Sequence, residues 1–402
     1  ILMHDVLIIA NVKDYSYALL PYFLKYKIKE EDESVAEPFY IGKIDKAAVT
    51  GVFSFIYNGI NITIKFEEHI DYSRVGIREH IKNISKNYDK IFVLIEYNSR
   101  NLDIESFNNV EILYFKVDEN YHESQSYIED FLSKFRIISS ASINFKHLNF
   151  YHEPIINLFA FYYQFGFNHV SFNKLNVDKQ NLMGLYYIPK YKNVRDIMYN
   201  EMCDIFKNNE LDSPTIYDTN VDKPQLIAKY LELNNGNWGL NHAAMYSDYL
   251  SSVCAFIFDT LNHVSVQGPA DGTNRYYINE KALKAILFSK LNIPFIIDTN
   301  PHNLHILNDL GFWFLNSEFH TFDKTKTESQ MIKETRDSII KSIDYLIDIY
   351  KKNDCNLNDT HTELVKLYES KMQNNYNTFI KYLSEPKDGD KLLNFILYGN
   401  GN

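Results

Sequence analysis

Arg275, Glu280 and Lys281 stand close together at the head of an apolar helical pattern, and Asp259-Thr260 close an apolar strand run upstream of them. A guanidinium, an ammonium and the free amides of a helix start favour an anionic group such as a diphosphate. Each charge-assisted hydrogen bond from Arg275 would contribute roughly 1.5 to 3 kcal/mol. Glu280 can accept from sugar or ribose hydroxyls, and Lys281 can lie against a phosphate. At an isolated Glu-Lys pair, a solvated helix terminus with Glu280 favoured by the helix dipole would explain the same residues.

These residues need elements to hold them. Ala255-Phe256-Ile257-Phe258 and Pro294-Phe295-Ile296-Ile297 are short apolar runs ended by Asp259 and Asp298, the pattern of strands buried in a parallel sheet. Between them Ala282, Leu283, Ala285, Ile286 and Leu287 recur at helical spacing, which predicts a βαβ crossover. The polar loop from Gly268 to Asn279 then lies at the carboxyl end of a strand, where open α/β sheets bind ligands.

The series Phe258-Asp259-Thr260, Tyr277-Ile278-Asn279-Glu280-Lys281, Pro294-Phe295-Ile296 and Leu307-Asn308-Asp309-Leu310-Gly311-Phe312 resembles the nucleotide-sugar half of GT-B glycosyltransferases. It is similar to the Glu-Lys region of fucosyltransferases, and closer to phage and large-virus glycosyltransferases with an E-K helix ahead of PFI and LGF segments. The resemblance covers roughly residues 250 to 325. Asp259-Thr260 stand where fucosyltransferases have Glu-Asn, and Asn279 stands where they have Thr, which leaves the nucleotide and the sugar open. The resemblance implies that Asp259, Thr260, Arg275, Tyr277, Glu280 and Lys281 hold a nucleoside diphosphate sugar, with a UDP-sugar as the expected donor. It implies metal-independent transfer to an acceptor hydroxyl, for which a hydroxymethylated pyrimidine in phage DNA is one candidate. A glycan or small-molecule acceptor, and a non-catalytic nucleotide-sugar-binding or structural viral protein, are the rival readings.

An inverting transferase needs a group to take the acceptor's proton, placed across the cleft on the first domain. Asp14 after the first strand, Glu96 at a strand end and Glu153 beside His152 are the candidates, with Asp14 and Glu153 preferred. Glu96 is equally a strand-end residue and Glu153 equally a helix-start residue. Trp238, Gly239 and His242 could form a sugar or base platform, or an aromatic plug. Asp271-Gly272-Thr273-Asn274 reads as a tight turn without the continuation of a calcium loop. The chain has no H-E-x-x-H, Walker A, G-x-G-x-x-G or G-x-S-x-G pattern, which lowers zinc-hydrolase, NTPase, dinucleotide and serine-hydrolase readings.

The chain has 402 residues, 45% of them hydrophobic, enough for two globular domains of about 200 residues each. The expected division is 1–185, an acceptor-side α/β domain, and 186–402, a nucleotide-sugar-binding α/β domain with closing helices. Its boundary is expected between Asn176 and Asn193, where Tyr186-Tyr187-Ile188-Pro189 breaks the periodicity. A formal charge of −11 opposes nonspecific attraction to nucleic acid or anionic membrane. Lys146, His147, Lys190, Lys192 and Arg195 could still line a local DNA groove. Three widely spaced cysteines, Cys203, Cys254 and Cys355, form no motif and suggest a reducing compartment, with Cys254 a core residue. No run is long enough to span a bilayer, and ILMHDVLIIAN lacks a basic leader, so a cytoplasmic protein is expected.

Further strands are expected at Val6–Ala10, Phe53–Tyr57, Ile60–Phe66, Ile91–Ile95 and Val110–Phe115, the second and third joined by a primed Asn58-Gly59 turn. Helical spacing is read at Ser124–Ile137, Glu153–Phe165, Tyr199–Phe206, Leu226–Leu233, Glu328–Lys352 and Thr360–Leu383. The expected architecture is α/β, with two Rossmann-like domains in the GT-B manner and long C-terminal helices.

Overall fold

The computed structural model describes residues 4–11, 22–23, 52–67, 74–96, 108–116, 135–139, 150–153, 182–187, 203–209, 215–217, 252–258, 280–287, 289, 292–297, 301–384 and 389–399. The chain divides into two compact units. The first takes in Ile1–Gln164, Pro269–Tyr277 and Tyr382–Asn402, and the second Phe165–Gly268 and Ile278–Lys381.

The first unit is built on a seven-stranded sheet of β1 (Asp5–Asn11), β2 (Val52–Tyr57), β3 (Ile60–Glu67), β4 (Lys90–Glu96), β5 (Val110–Lys116), β6 (Arg136–Ser139) and β7 (Phe150–His152). The spatial order is β2-β3-β1-β4-β5-β6-β7. All neighbours are parallel except β2 and β3, which form the antiparallel hairpin. Its turn carries Asn58 at φ 49° and Gly59 at φ 80°, the left-handed pair that a primed turn requires. Val6 to Ala10 and Ile91 to Leu94 are 0–2% exposed, so an unbroken apolar run, rather than an alternating one, is what these central strands need. Helix α1 (Arg74–Ile84) leads from β3 towards β4.

The second unit has a four-stranded parallel sheet of β8 (Leu182–Tyr187), β9 (Thr215–Tyr217), β10 (Ser252–Phe258) and β11 (Ile293–Ile297), in the order β11-β10-β8-β9. Helix α2 (Glu280–Leu287) joins β10 to β11 and packs on both, burying Ala282, Leu283, Ala285 and Ile286. Helices α3 (Pro301–Asp309), α4 (Glu328–Lys352) and α5 (Leu357–Ser384) follow. Phe256 packs on Phe295 at 5.0 Å and on Phe206 at 5.7 Å. Ile343 and Leu346 of α4 and Leu364 and Met372 of α5 complete the same core. Cys254 is a buried residue of that core, as expected, and all three cysteines are free thiols. α4 begins where Thr327 and Gln330 form a capping box, so its start is written in four residues.

The C-terminal helix α6 (Gly389–Tyr398) belongs to the first unit. Arg136, at the head of β6, donates to the carbonyls of Phe395 at 2.9 Å and Ile396 at 2.6 Å in the last turn of α6, and pairs with Glu111 at 2.8 Å. Gly399 then takes φ 76° and donates to Phe395 O at 2.9 Å, a left-handed helix end.

The observed class is the expected one, α/β with two Rossmann-like sheets and long C-terminal helices. Two local expectations differ. Arg136 and Ile137, read as the tail of a helix, start β6, because Ile137 and Ile138 are 0% exposed between β5 and β7. Glu153, read as a helix start, extends the β7 ladder instead, its N–H donating to Ser139 O at 3.0 Å. The stretch around Tyr186-Tyr187, expected to break the periodicity, carries β8, which pairs in parallel with β10. The expected helix Leu226–Leu233, the loop with Trp238 and His242, the turn at Asp271, and Lys146, His147, Lys190, Lys192 and Arg195 lie outside the described residues.

Candidate functional site

Each sheet has a point where successive connections leave in opposite directions. In the first sheet it lies between β1 and β4, and in the second between β8 and β10. Ligands of open α/β sheets bind outside the carboxyl ends of the strands at such a point, because the diverging connections leave a crevice there. In the second sheet Phe258 of β10 is level with Ile297 of β11, and Phe256 with Tyr186 of β8, so the three strands end together.

Asp259-Thr260 follow the end of β10 directly in sequence. Helix α2 carries the chain from that carboxyl edge back to the amino end of β11, and its first two residues are Glu280 and Lys281. The first-turn amides of a helix have no partner within the helix, and the macrodipole makes this end attractive to anions. The Glu-Lys pair therefore opens a crossover helix at the carboxyl edge of a parallel sheet. Asp259, Thr260, Arg275, Tyr277 and Asp14 themselves lie outside the described residues.

In the first unit, Glu96 is the last residue of β4, beside the point of reversal, and Glu153 is half-buried just past β7. The end of β7 stands four strand spacings from that of β1, about 19 Å at the usual separation. Glu153 thus leaves the sheet well away from the end of β1. Tyr22, 1% exposed, meets the Glu153 carboxylate. Burial raises the Tyr22 pKa well above the ordinary tyrosine value, and the nearby charge of Glu153 and the neighbouring Tyr151 add to the rise. Tyr22 therefore stays neutral beside the Glu153 carboxylate. A carboxylate in this position can accept a proton from a hydroxyl. Sequence reasoning missed Tyr22: it lies in an apolar stretch, and only tertiary packing brings it to Glu153.

Among the described residues, no group of three His, Cys, Asp or Glu side chains is placed to hold a metal ion. No described helix is long and apolar enough to cross a membrane.

Fold and site together define a two-unit α/β protein whose second sheet presents a helix start bearing Glu280 and Lys281 at its binding edge. The chain is similar to a solved structure described as "Trehalose-6-phosphate from E. coli bound with UDP-2-fluoro glucose", at 9% identity and a TM-score of 0.35, with 95% of this chain and 99% of that chain covered. No family model and no curated protein matches the sequence.

Proposed function

We propose that the chain is a glycosyltransferase of the GT-B type that takes a nucleoside diphosphate sugar, a UDP-sugar first among them, and transfers the sugar to an acceptor hydroxyl. The observation that carries this reading is the placement of Glu280-Lys281 as the first residues of α2, on the same sheet edge as the end of β10. Lys281 would neutralise the diphosphate together with the first-turn amides, and Arg275 would fork onto its oxygens. Glu280 and Asp259 would accept from sugar or ribose hydroxyls, with Thr260 and Tyr277 beside them. With charge neutralised by these groups, the leaving diphosphate needs no metal ion. Glu153 or Asp14 would take the proton of the acceptor hydroxyl.

In the same reading the first unit serves the acceptor and the second the donor, with β8, which runs across the expected division of 1–185 and 186–402, on the donor side. A hydroxymethylated pyrimidine in DNA is the acceptor proposed first, on the resemblance to phage enzymes, and a glycan is its rival. Thermal stability measured with UDP, GDP, ADP and CMP, each with and without a divalent ion, tests the donor claim. A rise of several degrees with one nucleoside diphosphate is expected, and its absence with all of them removes the reading. Mass spectrometry of incubations with UDP-sugars and either hydroxymethylated DNA or oligosaccharides then separates the acceptors.

A further inference from the structure

The turn that leads into α4 is held by an imidazole in a single protonation state. His320 is buried, its side chain 0% exposed. Its Nδ1 accepts the Phe322 N–H at 3.0 Å, so that nitrogen carries no proton. The neutral ring then bears its proton on Nε2, 3.3 Å from the Thr335 hydroxyl on α4. Phe322 holds φ 53°, a left-handed conformation that a bulky residue adopts only when its surroundings impose it. Those surroundings are the Nδ1 acceptor itself and the stack of the Phe322 ring on the His320 ring at 4.3 Å.

The charged and titratable neighbours are few. From α3, His305 meets the His320 ring edge to face at 5.5 Å, with His302 and Asp309 on the same helix. From the turn come Lys324, paired with Asp309 at 2.6 Å, and Lys326, paired with Glu334 at 2.8 Å. From α4 comes Glu334, whose Oε1 lies 3.9 Å from His320 Nδ1 and already accepts from Thr321 N–H at 2.7 Å and from the Thr321 hydroxyl.

We propose that His320 is an acid-sensitive latch on the turn Thr321–Lys326: a proton taken up at Nδ1 removes the acceptor of the Phe322 amide, redirects the ring towards Glu334, and releases the left-handed conformation at Phe322. The proton comes from solvent onto the Nδ1 lone pair, and the new N–H competes for a Glu334 oxygen that now holds Thr321. Burial, and then His305 and Lys326, hold the His320 pKa below its ordinary value against the pull of Glu334. A lowered imidazole pKa means that the folded state binds fewer protons than the unfolded one. The latch is therefore complete above the unfolded value of about 6.5, weakens as pH falls below it, and is lost as pH falls through the lower folded value.

Hydrogen exchange read by mass spectrometry over peptides spanning 320–327, corrected for the intrinsic pH dependence, tests this. Protection several-fold lower at pH 5.5 than at pH 7.5, up to the about 10-fold that one proton with an unfolded pKa near 6.5 allows, is expected in the unsubstituted chain. His320→Asn keeps an acceptor near the position of Nδ1 but does not titrate, and its protection should be equal at the two pH values. His305→Asn should keep the acid loss. Unchanged protection in the unsubstituted chain, or an equal acid loss in His320→Asn, overturns the latch. Should that variant not fold, the ¹⁵N shifts of the His320 ring in the unsubstituted chain decide. A bare Nδ1 at pH 7.5 that takes up a proton as the pH is lowered below 6.5 supports the latch, and a ring carrying its proton on Nδ1 at pH 7.5 overturns it.

Discussion

Asn316 bonds both main-chain groups of Ile296: its Oδ1 accepts the Ile296 N–H at 3.0 Å and its Nδ2 donates to the Ile296 carbonyl at 2.8 Å. Ile296 is on β11, the edge strand of the second sheet, so one buried carboxamide stands in for a missing neighbouring strand. Asn375 of α5 repeats the arrangement on Trp313, accepting from its N–H at 2.6 Å and donating to its carbonyl at 2.7 Å. Asn316→Ala orphans a buried donor and a buried acceptor, each worth about 1 to 3 kcal/mol. Urea unfolding should show a loss of roughly 2 to 5 kcal/mol for this variant. A loss below about 1 kcal/mol would mean that water replaces the amide without strain.

Arg136 ties α6 to the head of β6. Its guanidinium serves two helix carbonyls and Glu111 at once, a fork that lysine cannot reproduce. Arg136→Ala should cost roughly 1.5 to 3 kcal/mol, as expected for hydrogen bonds from a charged group, since the part-exposed pair with Glu111 adds little, and Arg136→Lys should recover only part of it. Hydrogen exchange of peptides covering 389–398 should rise in both variants. Unchanged exchange there would show that apolar packing alone holds α6.

Glu334 supplies a pH-dependent contribution of its own. Burial works to raise its pKa, but hydrogen bonds from Lys326 and from the Thr321 hydroxyl and N–H outweigh it and bring the value down from 4.5 to about 2. A lowered carboxyl pKa contributes stability that is complete above the unfolded value and lost as pH falls through the folded one. The stability lead of the unsubstituted chain over Glu334→Gln should hold above pH 4.5 and shrink towards pH 2. A lead that stays constant from pH 7 to about 2.5 would remove this carboxylate from the account.

Gly59 occupies the left-handed half of the β2–β3 turn, and a Cβ added there would meet nothing within 4 Å. The cost of Gly59→Ala is therefore conformational rather than steric, roughly 1 to 2 kcal/mol. Thermal unfolding of that variant measures it. A neutral result would show that the turn changes type.

Lys281 tests the donor site without the fold. At the first turn of α2 its replacement by alanine removes one charge and keeps a strong helix former. Affinity for a nucleoside diphosphate should fall about 10- to 100-fold, the equivalent of one charge-assisted hydrogen bond, while the unliganded melting temperature stays put. Loss of stability with unchanged affinity would make the Glu-Lys pair a helix terminus and nothing more.

Much of the second unit was legible because its signals are local. The apolar runs at Ala255–Phe258 and Pro294–Ile297, with helical spacing between them, can satisfy their backbone and bury their apolar faces only as a βαβ unit. The span of α4 matches the Glu328–Lys352 periodicity, and its capping box marks the start. The hairpin at Asn58-Gly59 follows from the backbone angles those two residues tolerate.

What the sequence by itself determined is this set of elements and the presence of Glu280 and Lys281 at a helix start, because backbone propensity and side-chain period act over a few residues. Tertiary structure alone decided that β8 stands beside β10 and makes Asp259 follow a point of reversal. It also made Arg136 start a strand that caps α6, set Tyr22 on Glu153, and closed the edge of β11 with Asn316. Those relationships join residues far apart in the chain, and their free energy comes from burial and from pairing otherwise unsatisfied polar groups, neither of which leaves a periodic trace in the sequence.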